Sequence, residues 1–300
     1  MYDLIIIGAG PAGITAAVYA ARKKMSFLVI TQDIGGQAAW SGDIENYTGY
    51  QFVTGPDLVS KFEEHMRKYR IETKERETVI DVERLGDAIK VKTSKGQYEA
   101  KAIIIASGKV SKELGVPGEK EFKNKGLTYC ATCDGPLFAG KDVAIIGGGN
   151  SALDAALQLI KIARKVYMIN NTPKLGGDAV MKEKVEASNV VTVLNDSRVT
   201  AITGDKMVSG MTIARNSKEE KLAVEGIFVE VGLIPNSGFA KGVEKNARGE
   251  IKINGMNETS VPGIFASGDV TDVPEKQIII AAGEGSKAAL SAFKYISHNR

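Results

Sequence analysis

Apolar runs alternate with polar breaks in a pattern that occurs twice along the chain. Tyr2-Asp3-Leu4-Ile5-Ile6-Ile7 is a short β-rich apolar run that reads as a buried strand, an Ala-rich segment of helical periodicity reaches about Lys24, and Phe27-Leu28-Val29-Ile30 forms the next strand. The same succession returns as Val143-Ala144-Ile145-Ile146, a helix to about Arg164 and the strand Val166 to Ile169. Between the copies, Gly55-Pro56-Asp57 opens an amphipathic helix to about Tyr69, and Val79 to Ala100 alternates as a meander with a turn near Ser94-Lys95-Gly96. Ala102 to Ala106 is a third apolar strand. Further on, a helix is predicted over about Ala179 to Ser188, and Gly263 to Val270 is an apolar strand that echoes Ile103 to Gly108. Lys276-Gln277-Ile278 then leads a helix to about Ser297. Strands separated by helices predict an α/β fold, and 300 residues are enough for two domains.

The turns inside the two copies carry the first candidate chemistry. Gly8-Ala9-Gly10-Pro11-Ala12-Gly13 and Gly147-Gly148-Gly149-Asn150-Ser151-Ala152 superpose without a gap, Gly8 on Gly147, Gly10 on Gly149, Gly13 on Ala152 and Ile30 on Ile169. Strand, glycine turn, helix and strand in this order form a dinucleotide-binding fingerprint, in which a pyrophosphate approaches the backbone and meets the helix N-terminus. Alanine at the third position still allows close packing of helix on strand. An acidic residue usually follows the second strand to hold a ribose. Here Thr31-Gln32-Asp33 leaves that task to Gln32 or Asp33, and Asn170-Asn171-Thr172-Pro173-Lys174 offers neither an acid nor an arginine cluster, only Lys174 as a point charge.

Polar, glycine-containing stretches at Asp33 to Gln37 and Asp43 to Tyr47 read as a loop region that covers a ligand. Lys109 to Lys125, rich in Lys, Glu, Gly and Pro, reads as a linker between domains, with Gly232-Leu233-Ile234-Pro235-Asn236 as a second crossing. Asp269, in the turn after the last strand, is placed to hydrogen-bond a polyol.

Cysteine usage adds the second chemistry. The only two cysteines are Cys130 and Cys133, followed directly by Asp134. Two thiols this close can open and close a disulfide repeatedly, because the small loop keeps the bond reducible. A free thiol of pKa ~8.5 is only a few per cent thiolate near neutrality, so exchange needs a nearby proton carrier, and Asp134 is assigned that general-acid role. Structural zinc wants four ligands, and only His65 and His298 accompany the cysteines, so no metal is expected. His65 reads as a surface or packing residue. A net charge of +3 and the lack of a basic, aromatic-interleaved cluster argue against nucleic acid. Apolar runs such as Ile278 to Ala282 are too short to span a bilayer, and the N-terminus begins a strand rather than a signal peptide. A cytoplasmic protein is expected, where a CxxC pair is more often catalytic than structural.

The ordered set GxGxxG, GGQ, ENY, CATCD, GGGNSA, ASGD and a Gln-led terminal helix closely resembles the low-molecular-weight thioredoxin reductases over essentially the whole chain. Gly226 to Asn236 and Lys276 to Phe293 are also similar to the reductase part of the flavoprotein that recycles alkyl hydroperoxide reductase. The resemblance implies two Rossmann-like three-layer domains, the second inserted in the first. It implies a homodimer with FAD bound by residues 1–111 and 242–300, and residues 112–241 carrying the redox pair and the nicotinamide site.

For FAD, it implies contacts from Gly8, Gly10, Pro11, Ala12, Gly13, Gln32, Gly36, Gln37, Asn46, Ala106, Ser107, Gly108, Gly268, Asp269, Lys276, Gln277 and Ile278. For NADH or NADPH, it implies Gly147, Gly149, Asn150, Ser151, Ala152, Asn170, Asn171 and Lys174. Cys133 would face the flavin, Cys130 would attack the disulfide of a thioredoxin-like or glutaredoxin-like partner, and Asp134 would protonate. The inserted domain would rotate between two poses so that each of its sites reaches one flavin.

The chain also departs from that pattern. NADPH-dependent members have a His-Arg-Arg run and a further Arg where this chain has Asn170, Asn171, Thr172 and Gly176, so NADH is favoured. Rival readings are a reductase feeding a peroxide-reducing system through a separate carrier, a flavin dithiol oxidase, and a non-enzymatic flavin-binding redox sensor.

Overall fold

Strand Tyr2–Ala9 is apolar at every position from Leu4 to Ile7, so it can be buried on both faces, and it lies inside a seven-stranded sheet. The computed structural model describes residues 1–41, 43–216 and 218–298. Phe27–Ile34 runs parallel on one side of it and Gln97–Ile105 parallel on the other, with Ile7 opposite both Ile30 and Ile105. Ala88–Thr93 and Val79–Leu85 continue the sheet as an antiparallel meander, Thr73–Lys74 joins Phe27–Ile34, and Ile264–Ala266 pairs with Gln97–Ile105. Successive side chains of a strand point to opposite faces. Leu4 and Ile6 therefore pack with the alanines of helices Pro11–Arg22 and Ile278–His298, while Ile5 and Ile7 pack with Val82, Val91, Phe239 and Ile251.

The chain divides into two units, Met1–Val110 with Ile234–Arg300, and Ser111–Leu233. Residues 234–241, which the resemblance assigned to the inserted domain, group with the first unit. The physical reason is local: Val82 N–H donates to Phe239 O at 3.3 Å, and Phe239 and Ala240 are buried in the first unit's core.

In the second unit all five sheet strands are parallel, in the order Leu127–Thr128, Gly226–Val229, Asp142–Ile146, Lys165–Ile169, Val191–Leu194. Helix Asn150–Leu159 buries Leu153, Ala156 and Leu159 against Val143, Ile145 and Met168. The opposite face is covered by an antiparallel sheet, Ser197–Gly204, Val208–Arg215 and Lys218–Ala223, which packs Val199, Ile202 and Met211 on Ala144, Ile146 and Ile227.

Two stretches read as loop or linker turn out to be ordered. The 33–47 region contains a 3₁₀ helix, Gly36–Trp40, and a short strand, Asp43–Ile44, paired with Val53–Thr54. In the 109–125 segment, Lys109–Ser111 pairs with Leu233–Pro235, and beyond it the chain is organised by Glu119. Its buried carboxylate accepts the N–H groups of Leu114 and Gly115 and the hydroxyl of Tyr129, each at 2.7 Å. Among the described residues no helix is long and apolar enough to cross a membrane.

Candidate functional site

The first unit presents a glycine cradle between strand and helix. A Cβ on Gly13 would stand 1.9 Å from Gly8 O, so the helix is drawn hard against the turn. Gly10 and Gly36 face each other: a Cβ on Gly36 would meet the Gly10 Cα at 3.5 Å, which leaves an opening that side chains would fill. Around this opening Gln37 Nε2 donates to Lys109 O at 3.3 Å, Asn46 Nδ2 to Gln277 Oε1 at 3.0 Å, and Ser107 Oγ to Asn236 O at 2.6 Å. Gly268 opens the 3₁₀ helix Gly268–Val270 with its Cα against Ala12, whose Cβ is 2.9 Å from where a side chain would begin, and Asp269 comes next.

Burial raises the Asp269 carboxyl above its ordinary range, against the lowering effect of Lys276 and Lys109. Lys276 Nζ donates to Thr271 O just before Ile278 begins the terminal helix. Lys109 and Lys276 both pair with the buried Glu250, at 3.1 and 3.3 Å. Burial alone would push Glu250 up, but hydrogen bonds from Asn246 and Lys109 and the charge of Lys276 hold it at about 2. A glycine cradle, a half-buried acid suited to hydroxyls and a helix N-terminus fit a flavin dinucleotide. Of the predicted contacts, Gln32 stands apart: it is exposed, and its amide bonds the Thr78 hydroxyl.

The second unit holds a cavity of about 1060 Å³. Gly147, Gly149, Asn150, Ser151, Asn170 and Asn171 line it, as the fingerprint predicts; Ala152 is buried behind the turn, and Lys174 is not among the lining residues. No atom lies within 4 Å of a Cβ placed on Gly149, at the N-terminus of helix Asn150–Leu159, so backbone amides there are open to an anion. Asn170 is only 2 % exposed. Its Nδ2 donates to Asn195 Oδ1 at 2.8 Å and Thr172 O at 3.0 Å, and its Oδ1 accepts from Thr172 Oγ1 at 3.0 Å, so it pins the loop that forms one wall. The open glycine turn and the cavity beside it fit a dinucleotide.

Lining residues that sequence reasoning missed include Lys112, Arg198 and Glu230. The first two come from distant segments and leave no local signal. Glu230 does leave one, a charged residue closing the apolar run Gly226–Val229. Burial, and then the neighbouring Asp154 charge, push its carboxyl up to about 8.

Cys130 and Cys133 form a disulfide. Cys130 caps the short helix Ala131–Asp134, its Sγ accepting the Cys133 N–H at 3.1 Å. Thr128 Oγ1 accepts the Cys130 N–H at 3.2 Å and donates to the Asp134 carboxylate, so one hydroxyl ties the first cysteine to the predicted acid. Cys133 is exposed and Cys130 half-buried. Thr132 Oγ1 donates to Gln158 Oε1 at 2.8 Å, and Gln158 Nε2 donates to Asp154 Oδ2 at 2.9 Å, which anchors the redox loop to the fingerprint helix. His65 is exposed beside Tyr69, away from any of these groups in sequence and contact.

Comparison with known proteins agrees with this geometry. Residues 2–285 match the family model described as pyridine nucleotide-disulphide oxidoreductase. The chain is 44 % identical to one subunit of the alkyl hydroperoxide reductase of Pseudomonas aeruginosa, over 98 % of this chain and 58 % of that protein. It is 41 % identical to an NADH dehydrogenase of Bacillus subtilis, over 99 % of this chain and 59 % of that one. The chain thus spans under two thirds of the length of these relatives. Among solved structures, thioredoxin reductase of Lactococcus lactis superposes with a TM-score of 0.93 at 34 % identity, covering 99 % of this chain and 100 % of that one. The chain therefore belongs to the pyridine nucleotide-disulphide oxidoreductase family, a membership that implies FAD and a nicotinamide cofactor.

Proposed function

We propose that the chain is a thioredoxin reductase-like flavoenzyme that draws electrons from NADH in preference to NADPH and delivers them through Cys130–Cys133 to the disulfide of a thioredoxin-like protein. The observation that carries this reading is the placement of the disulfide, with Asp134 attached through Thr128, on the unit that also holds the open nucleotide cavity.

Gly8, Gly10, Gly13, Gly36 and Asp269 would hold the FAD, and Gly147, Gly149, Asn150 and Ser151 the nicotinamide dinucleotide. Bound FAD supplies the two-electron relay between donor and disulfide. The chain's own part begins once the disulfide is opened to two thiols. A Cys133 N–H directed at Cys130 Sγ favours thiolate over thiol there, which suits Cys130 as the sulfur that attacks a partner disulfide. Cys133 then attacks the mixed disulfide and regenerates the internal bond. Asp134, oriented by Thr128, delivers the proton to the departing partner sulfur.

NADH is favoured because Asn171, Thr172 and Gly176 supply no charge and Lys174 is the one basic residue of the loop after strand Lys165–Ile169, and one group of relatives is named for NADH. Stopped-flow reduction of the flavin-loaded protein is expected to be faster with NADH. Faster reduction by NADPH rejects the preference. Cytoplasmic operation as a homodimer belongs to the same reading. A second reading, electron supply to a peroxide-reducing system through a separate carrier, is favoured by the likeness to the alkyl hydroperoxide reductase of Pseudomonas aeruginosa. Turnover with purified thioredoxins and with a peroxiredoxin-linked carrier separates the two: the partner that accelerates NADH oxidation identifies the route.

A further inference from the structure

We propose that Glu230 positions the nicotinamide carboxamide of the electron donor in the second unit's cavity. The inference rests on the reading that this cavity binds a dinucleotide.

The two units show that the fold itself does not need this carboxylate. Glu230 and Ala106 occupy the same place: Glu230 N–H donates to Ile146 O and Ala106 N–H to Ile7 O, each at 2.8 Å. A Cβ on the first fingerprint glycine would stand 2.1 Å from Glu230 O in one unit and 2.3 Å from Ala106 O in the other. The backbone performs the structural task in both, and an alanine side chain suffices in the first. A half-buried carboxyl group without a cation is unfavourable in its charged form and is retained here where an alanine would serve the fold.

Position says what that is. Glu230 follows Gly226–Val229, which flanks Asp142–Ile146 on the side opposite Lys165–Ile169. A dinucleotide crosses the sheet at this reversal of strand order, with its adenosine ribose beyond the second strand. Its other end therefore lies toward Glu230, which lines the cavity. Asp154, from helix Asn150–Leu159, is the charge facing Glu230. The other charged lining residues are Lys112, Glu113 and Arg198, and none makes an ion pair with Glu230 among the described residues. Burial and Asp154 keep the group protonated at neutral pH. A carboxylic acid offers one donor and one acceptor, the complement of a primary carboxamide.

The test is binding rather than turnover. The flavin-loaded protein is first reduced anaerobically, so that added NADH is not consumed. NADH affinity is then followed by its fluorescence, and affinity for ADP-ribose, which has no nicotinamide, by calorimetry. Glu230→Ala is expected to weaken NADH about tenfold and leave ADP-ribose unchanged, as for loss of one hydrogen-bonded pair. Glu230→Gln, which keeps a donor and an acceptor, is expected to restore NADH binding. Wild-type affinity for NADH is expected to fall about tenfold between pH 7 and pH 9, as the competent protonated fraction falls, while Glu230→Gln stays flat. Equal weakening of NADH and ADP-ribose in Glu230→Ala, or unchanged NADH affinity, or a pH profile shared with Glu230→Gln, overturns the assignment. Failure of the wild type to bind ADP-ribose and NADH at all overturns the dinucleotide reading beneath it as well.

Discussion

Gly13 in the first unit and Ala152 in the second stand at the same point of the same turn, yet only the second accommodates a methyl group. In the first, a Cβ would fall 1.9 Å from Gly8 O; in the second, the leading glycine is turned differently, φ +140° at Gly147 against +104° at Gly8, and Ala152 is fully buried. A second pair of positions exchanges bulk. Thr31 faces Ala9, its Oγ1 accepting the Ala9 N–H at 3.2 Å, whereas Asn170 reaches so far that a Cβ on Gly148 would meet its Oδ1 at 2.3 Å. The third pair, Ala106 and Glu230, shares a backbone and differs only in chemistry. Only the third pair joins an unchanged main chain to a side chain that lines the cavity. That position is therefore the one to question about a ligand.

The sharpest difference is that the second unit alone carries the disulfide. Cys130→Ser is expected to lower disulfide reduction by more than ~1000-fold, as for loss of a nucleophile, while donor-driven flavin reduction persists. Parallel loss of both would mean that the two units do not divide the work in this way. The first unit has its own feature, the buried Lys109–Glu250–Lys276 cluster. Glu250→Ala leaves two cations without their partner and is expected to cost ~3–5 kcal/mol in urea unfolding. Since Glu250 is held at about 2 in the folded protein, its contribution is present above the ordinary carboxylate range and is lost as pH falls toward 2.

Exchanging the turn residues tests the comparison directly. Gly13→Ala is expected to cost ~1–3 kcal/mol by overpacking and to loosen flavin retention, measured by absorbance after gel filtration. Ala152→Gly is expected to cost only about 1 kcal/mol, the ordinary helix penalty, with flavin content unchanged. A pH-dependent effect concerns Glu230. Its carboxyl ionises higher in the folded chain than in the unfolded one, so the unfolded state binds fewer protons between about pH 4.5 and about 8. Thermal stability is expected to fall as pH rises through that window, and Glu230→Gln to flatten the fall.

Much of this was legible because it is local. The unbroken apolar stretch Leu4 to Ile7 announces a strand buried on both faces, and the gapless match of Gly8 to Gly13 with Gly147 to Ala152 announces two nucleotide units. Cys130, Cys133 and Asp134 declare their chemistry by spacing. The cavity walls did not declare themselves. Arg198 reaches the nucleotide loop because Ser197 N–H donates to Asn170 O at 2.9 Å, and the 112–117 segment is held by Ile202 N–H donating to Pro117 O at 2.9 Å. These bonds join residues far apart in sequence, so no window of the chain contains both partners. Glu119 left no signal for a related reason, since its acceptor role depends on Tyr129 and on a turn that exists only in the folded unit.

The central claim is that donor electrons reach Cys130–Cys133 by way of flavin. Anaerobic titration of the flavin-loaded protein with NADH, followed by flavin absorbance and by thiol labelling, tests it most directly. The expected result is uptake of two equivalents per chain, one for the flavin and one that exposes both thiols, with Cys130→Ser taking up only one. Uptake of a single equivalent by the wild type, with the disulfide still closed, would contradict it.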